Sequence, residues 1–315
     1  MSDGTWLTAA ILFGACVGSF LNVVIWRLPR GTFFSLGQRS VCPACGKRIA
    51  WYDNLPIVGW LLLRGRARCC GSAISIRYPL VEAINASLFA ALWLWPPSGR
   101  ALDAHALDGL ALLAFAFHAF FVATLVANTF IDIDFRILPD ELTYSALVAG
   151  LIGAFVVPGL AGSFDAPGVA PALRSFLFSA AGAAVGFGVT AAIRTGGSML
   201  FRKEAMGFGD VKLMAAIGAY VGPTDVLLVF LIASVVGALY GIGSVWMTRD
   251  PRIAFGPFLV VGALVTLFAG DPLRTFLFDT WPRWQTQHAS PWLLVVVGLV
   301  CLVLLFVLVR KGRRL

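Results

Sequence analysis

Apolar positions in this chain come in long unbroken runs, not in the strict alternation of half-buried strands. They cover residues 6–26, 79–95, 110–131, 142–157, 173–193, 226–247, 253–269 and 292–309, with a shorter run from 211 that stops at Gly222-Pro223. Most of these approach the ~20 residues a helix needs to span a bilayer. In hydrocarbon the backbone must satisfy its own hydrogen bonds, so runs of this length predict helices and not barrel strands. The expectation is an all-α polytopic integral membrane protein of about nine transmembrane helices. A Cys-containing hydrophilic loop domain interrupts it after the first helix.

Composition agrees with the pattern. Of 315 residues, 59% are hydrophobic and 13% charged, against roughly 25% charged in an average soluble domain. The formal net charge of +8 raises nucleic acid as a partner, but the distribution of basic residues argues against it. The hydrophilic stretch 27–77 holds Arg27, Arg30, Arg39, Lys47, Arg48, Arg64, Arg66, Arg68 and Arg77 against one acid, Asp53. By the positive-inside rule this loop is cytoplasmic and the N-terminus lies outside. Counting spans from there puts Arg194, Arg202, Lys203, Arg249, Arg252 and the tail Arg310, Lys311, Arg313, Arg314 inside as well. The outer loops carry only Arg100, Arg274 and Arg283. The basic residues are therefore topogenic, and no nucleic acid is expected. The first run is too long for a signal-peptide core and lacks a basic segment before it, so no cleavable leader is expected.

Against this background the ionisable residues inside apolar surroundings are costly and point to function. Met206-Gly207-Phe208-Gly209-Asp210-Val211-Lys212-Leu213 opens the short run, and its two glycines leave the backbone bare beside Asp210. Ile131-Asp132-Ile133-Asp134 closes another run. The span count puts Asp132 at the end of an inward helix and Asp210 at the start of an outward one, so both belong to the cytoplasmic face. Two carboxyls in one low-dielectric site titrate as a unit, one keeping a proton while the other acts as base. That pairing can activate water and protonate a peptide carbonyl. The plainer alternative is a pair of ordinary interfacial charges.

Six cysteines are present. Cys16 and Cys301 lie in apolar runs and read as packing residues. Cys42, Cys45, Cys69 and Cys70 lie together in the hydrophilic loop, and Cys42-Pro43-Ala44-Cys45 has the form of a knuckle that presents two thiolates to Zn²⁺. Disulfides are not expected on the reducing side of the membrane.

Gly207-Phe208-Gly209-Asp210-Val211-Lys212-Leu213 resembles the signature of the Gly-x-Gly-Asp intramembrane aspartyl proteases, and its Val-Lys-Leu ending is that of the prepilin peptidases, or type IV leader peptidases. Asp132-Ile133-Asp134-Phe135-Arg136-Ile137-Leu138-Pro139-Asp140 resembles the family's second aspartate motif, in which the catalytic Asp precedes a Pro by seven residues. That spacing selects Asp132, with Asp134 the runner-up. Similar too are residues 18–29, from Gly18-Ser19-Phe20-Leu21-Asn22 to Leu28-Pro29, then Arg77-Tyr78-Pro79-Leu80-Val81-Glu82 and Phe255-Gly256-Pro257-Phe258-Leu259. The resemblance implies cleavage of the basic leader of type IV prepilins and type II secretion pseudopilins, after a Gly, at the cytoplasmic face of a bacterial inner membrane. It also implies N-methylation of the new terminal residue with S-adenosylmethionine. The C-terminus is then cytoplasmic, and lipid surrounds the spans. Residues 1–100 correspond to the methyltransferase half with its cysteine loop, 101–270 to the peptidase core and 271–315 to an outer loop, an extra span and a basic tail.

Within the resemblance the cysteine loop departs from pattern. The family has Cys-x-x-Cys where this chain has Ala67-Arg68-Cys69-Cys70. Three readings stay open: Zn²⁺ on Cys42, Cys45 and Cys70 with Cys69 as fourth ligand, Zn²⁺ completed by water or another side chain, or no metal. Gly59 stands where Ser is common. Glu82, an acid in an apolar span, is either near the methyl donor or paired with Arg77. Asn22 either bridges helices or serves chemistry. Asp53 and Asn54 form a turn before Pro56. His118 reads as an interhelical hydrogen-bonder, and His105 and His288 have no ligand spacing. Lys212 either acts on Asp210 or binds lipid phosphate. Two rivals remain: a proton- or ion-coupled transporter, and an inactive zinc-knuckle adaptor.

Overall fold

The computed structural model describes residues 3–32, 41–97, 108–204, 206–247 and 254–283. The ninth run at 292–309, Cys301, His105, His288, Arg100, Arg249, Arg252 and the basic tail lie outside these. Among the described residues the chain is helical apart from loops and two isolated bridges. The helices are α1 (Asp3–Arg27), the short α2 (Val58–Leu62), α3 (Arg77–Leu94), α4 (Gly109–Phe135), α5 (Asp140–Val156), α6 (Pro171–Phe201), α7 (Phe208–Met247) and α8 (Gly256–Arg274). The stretches Gly4–Arg30, Gly109–Phe135, Pro171–Leu200, Phe208–Ile242 and Gly256–Arg283 are long and apolar enough to cross a membrane. At 18 and 17 residues, α3 and α5 reach about 25–27 Å, a little short of the ~30 Å hydrocarbon core.

Local chemistry sets the boundaries. The side chain of Asp108 accepts from the Leu110 N–H at 3.1 Å and caps α4. At the other end Arg136 takes a left-handed φ of 56° and donates its N–H to Asp132 O at 2.9 Å. Pro139 then bars continuation of that helix. Asp140 and Glu141 fall in the first turn of α5, where the helix dipole favours acids. Pro171 occupies the first position of α6, the helix position that tolerates its missing N–H.

The 40-residue α7 is a hairpin. On a straight helix Met214 and Val226 would be about 18 Å apart. Yet a Cβ added to Gly186 of α6 would meet the Met214 carbonyl carbon at 2.9 Å and Val226 Cγ2 at 3.0 Å. The chain reverses at Gly222, whose φ of 84° is open to glycine at no steric cost, and Pro223 starts the return arm. These arms are the short sixth run and the seventh run of the sequence. The two close contacts with α6 also need small residues, because a Cβ at Gly182 would collide with the Gly218 carbonyl.

The long central helix α4 is buried on two sides. One side packs with α1 and α3 through Leu21, Val81, Phe89, Val122 and Ile131. The other packs with α7 and α8 through Phe121, Leu125, Leu213, Tyr220 and Leu259. This arrangement lies within Met1–Phe268; a second unit starts at Ala269, and its described part ends at Arg283.

Candidate active site and cysteine loop

Asp132 is in the last turn of α4 and Asp210 in the first turn of α7, and both are buried, at 6% and 9% exposure. The N–H of Gly256, the first residue of α8, donates to Asp132 Oδ2 at 3.1 Å. This is one of the unpaired amides that every helix N-terminus offers. A Cβ at Gly256 would lie 2.5 Å from the same oxygen, so the carboxylate can sit there only because this residue is Gly. On the other carboxyl, the backbone of Gly207 interacts with Asp210.

Leu138, in the four-residue link between α4 and α5, joins the two places. A Cβ at Gly209 would lie 3.0 Å from Leu138 Cβ, and one at Gly256 would lie 3.5 Å from Leu138 Cδ2. The glycine before Asp210 and the glycine bonded to Asp132 therefore flank one leucine. Asp132 acts electrostatically on Asp210. Two acids 78 residues apart in the chain share one end of the bundle, as the span count predicts.

Neighbouring charges sort themselves away from this pair. Asp134, the runner-up, is ion-paired with Arg77, whose guanidinium also donates to Phe130 O at 3.2 Å. Lys212 is ion-paired with Asp140 and lies over the rings of Phe208 and Tyr144, so its partner is not Asp210. Glu82 is not paired with Arg77. Its Oε2 accepts from the Ile57 N–H at 2.7 Å, tying the cysteine loop to α3 where Ile57 has a left-handed φ of 61°. Asn22 Nδ2 donates to Tyr78 O at 3.2 Å and bridges α1 to α3. His118 bonds within its own helix, Nδ1 to Ala114 O at 2.8 Å, and not between helices. The roles of Gly256 and Leu138 escaped the sequence reading. The motif Phe255-Gly256-Pro257 was visible, but nothing in it says which carboxylate its amide meets.

The cysteine loop is built from two matching turns. In the first, Cys42 N–H donates to Lys47 O, Gly46 N–H donates to Cys42 O, and Val41 bridges Arg48. In the second, Ala67 N–H donates to Ser72 O, Gly71 N–H donates to Ala67 O, and Arg66 bridges Ala73. Gly46 and Gly71 have φ of 70° and 69°. Superposed by this pattern, Cys42 matches Ala67 and Cys45 matches Cys70. The thiol missing at 67 has its substitute two residues on, at Cys69. All four Sγ atoms lie within 4.8 Å of one another. The separations are 3.7 Å for Cys42–Cys70, 3.3 Å for Cys45–Cys69 and 3.9 Å for Cys69–Cys70. A tetrahedron with Zn–S bonds near 2.3 Å has edges of about 3.8 Å, so the four thiols fit Zn²⁺.

Their protonation differs. Backbone hydrogen bonds from Cys45 and Ala44 lower the Cys42 thiol to about 6, whereas the Cys45 thiol and burial push Cys69 up to about 12. Ser72, with its hydroxyl 3.1 Å from the sulfur, lowers Cys70. Asp53 takes a forked hydrogen-bond set from Arg68, the shortest at 2.8 Å, which anchors the turn before Pro56 to the second knuckle. A Cβ at Gly59 would lie 2.5 Å from Asp53 O, so a Ser there would displace that backbone.

Residues 12–95 match the family described as bacterial peptidase A24 N-terminal domain, and residues 119–242 match the type IV leader peptidase family. A protein of Aeromonas salmonicida called prepilin leader peptidase/N-methyltransferase is 35% identical over 87% of this chain and 95% of its own length. A type 4 prepilin-like proteins leader peptide-processing enzyme of Escherichia coli is 36% identical over 82% and 92%. A prepilin leader peptidase/N-methyltransferase of Burkholderia pseudomallei is 35% identical over 88% and 90%. No solved structure matches the chain.

Proposed function

The chain belongs to the type IV leader peptidase family, and on that premise we propose that it cleaves the leaders of type IV prepilins and type II secretion pseudopilins and N-methylates the product. The observation that carries the peptidase reading is that Gly209, next to Asp210, and Gly256, bonded to Asp132, flank one leucine, Leu138, with both carboxyls at helix ends and buried from bulk water. One carboxylate takes a proton from water as the oxygen attacks the scissile carbonyl carbon, and the other carboxyl protonates the carbonyl oxygen. The tetrahedral diol then collapses, the C–N bond breaks, and the amine leaves with a proton from the pair. The leader departs as a carboxylate and the mature chain keeps a free N-terminus. Gly256 N–H holds Asp132 in place through these steps.

The proposed orientation keeps the N-terminus outside and the C-terminus, the cysteine loop and both aspartates on the cytoplasmic side of a bacterial inner membrane. Residues 1–100 form the methyltransferase half, 101–270 the peptidase core and 271–315 an appended span. S-adenosylmethionine, when bound, supplies the methyl group for the new amine. Glu82, whose Oε2 is held by the Ile57 N–H, is the candidate acid near its site. Zn²⁺ held by Cys42, Cys45, Cys69 and Cys70 would fold a loop too poor in apolar residues to fold alone. The transporter rival needs acids near the bilayer midplane, and Asp132 and Asp210 are in terminal turns.

The test is cleavage of a purified prepilin by detergent-solubilised protein. Asp132→Ala and Asp210→Ala are each expected to abolish the mobility shift of the substrate. Processing at the unmutated rate by both variants removes the assignment.

A further inference from the structure

Polar side chains inside α4 mostly bend back onto their own helix. Thr124 Oγ1 donates to Phe121 O at 2.7 Å, Thr129 Oγ1 donates to Leu125 O at 2.9 Å, and His118 Nδ1 reaches Ala114 O. Asn128 does not. It is 1% exposed, and neither its Oδ1 nor its Nδ2 has a hydrogen-bond partner. A carboxamide buried in this way is costly, and a native protein that keeps one has a bound water or a task at that place.

The position of Asn128 supplies the task. It precedes Asp132 by four residues, one helical turn, so the two side chains share a face of α4. Side chains on a helix lean toward its N-terminus, which brings the Asp132 carboxylate down over the turn of Asn128. Gly256 N–H engages Asp132 Oδ2; among the described residues Oδ1 accepts no hydrogen bond. A buried amide with two empty hydrogen-bonding atoms thus lies one turn beneath a carboxylate with one empty oxygen. The rise of ~6 Å per four residues suits one intervening water with hydrogen bonds of ordinary length.

We propose that Asn128 is a positioning residue for the hydrolysis. Its carboxamide holds an ordered water against Asp132 Oδ1, and the carboxylate, fixed by that water and by Gly256 N–H, presents a single orientation to the scissile carbonyl. The inference rests on the peptidase reading above. An amide suits this place because it donates to the water and accepts from it without adding a charge beside two acids. Leucine, with the same branching and larger terminal groups, would fill the space and exclude the water.

The experiment compares Asn128→Leu, Asn128→Gln and Asp132→Ala in full-length detergent-solubilised protein with a purified prepilin. Asn128→Leu is expected to lower kcat about tenfold or more with KM within about twofold, as for loss of a group that orients a catalyst. Its melting temperature should stay near the unmutated value, because the carboxamide it replaces bonds a water and no other side chain. Asn128→Gln, which keeps the carboxamide, is expected to recover most of kcat. An unmutated kcat in Asn128→Leu, a kcat loss matched by a fall in melting temperature, or a Gln variant as slow as the Leu variant each overturn the proposal. Full-speed Asn128→Leu beside inactive Asp132→Ala overturns this proposal alone. Cleavage by Asp132→Ala removes the peptidase reading and this one with it.

Discussion

The backbone N–H of Gly256 donates to Asp132 Oδ2 across 124 residues of chain, at 3.1 Å. A Cβ at that glycine would lie 2.5 Å from the oxygen it serves. Gly256→Ala therefore has to move the carboxylate. A misplacement of about 1 Å costs a catalyst on the order of 10²-fold, and a loss of that size in kcat is expected. The check is the initial rate of prepilin cleavage at saturating substrate.

Asp132 and Asp134 are two residues apart, and sequence spacing alone prefers Asp132 without excluding the other. The ion pair of Asp134 with Arg77 separates them. Both side chains are about one-third exposed, so the pair contributes about 0.2–1 kcal/mol. Asp134→Asn is expected to cleave within about threefold of the unmutated rate, a change no larger than such a pair supplies. Asp132→Asn should be inactive. Parallel cleavage assays of the two variants decide the matter.

For the cysteine loop the expected ligand exchange is specific. Cys69→Ser should weaken zinc retention against a competing chelator, and Cys69→Ser with Ala67→Cys should restore it, because position 67 matches Cys42 in the paired turns. Metal analysis after chelator dialysis reads both. Metal-free Cys42, lowered to about 6, is a thiolate at neutral pH, while Cys69, raised to about 12, is not. Zinc uptake at pH 7 should therefore release a proton from Cys69, and affinity should weaken as pH falls, more steeply below about 6 where Cys42 also takes up a proton. Calorimetry in two buffers of different ionisation enthalpy counts the protons.

The α6–α7 contact predicts a stability effect with no chemistry in it. Gly182 and Gly218 meet backbone to backbone, so Gly218→Leu has to separate the helices. Overpacking costs typically 1–3 kcal/mol, and here the obstacle is main chain and cannot rotate aside. A lower melting temperature in detergent is the expected reading.

Much of this was legible in the chain because lipid allows few solutions. Run length predicts α1 and α3 to α8, whereas the short α2 lies in the hydrophilic loop, and Gly222-Pro223 marks the reversal inside α7. The counting of spans put Asp132 and Asp210 on one face. What stayed hidden was tertiary pairing. Glu82 and Arg77 lie five residues apart with opposite charge, but Glu82 meets a loop amide and Arg77 meets Asp134. Spacing cannot choose among acids of equal charge brought near by folding. The thiol cluster is hidden for a like reason, since only the folded loop brings Cys69 within 4.8 Å of the other three Sγ atoms.

The most direct measurement is the intact mass of a co-expressed prepilin's N-terminus from cells carrying the unmutated chain, Asp132→Ala or Asp210→Ala. The account predicts a shortened, methylated terminus with the unmutated chain and the full leader with either variant. A shortened terminus in cells whose only copy of the chain carries Asp132→Ala or Asp210→Ala would contradict it.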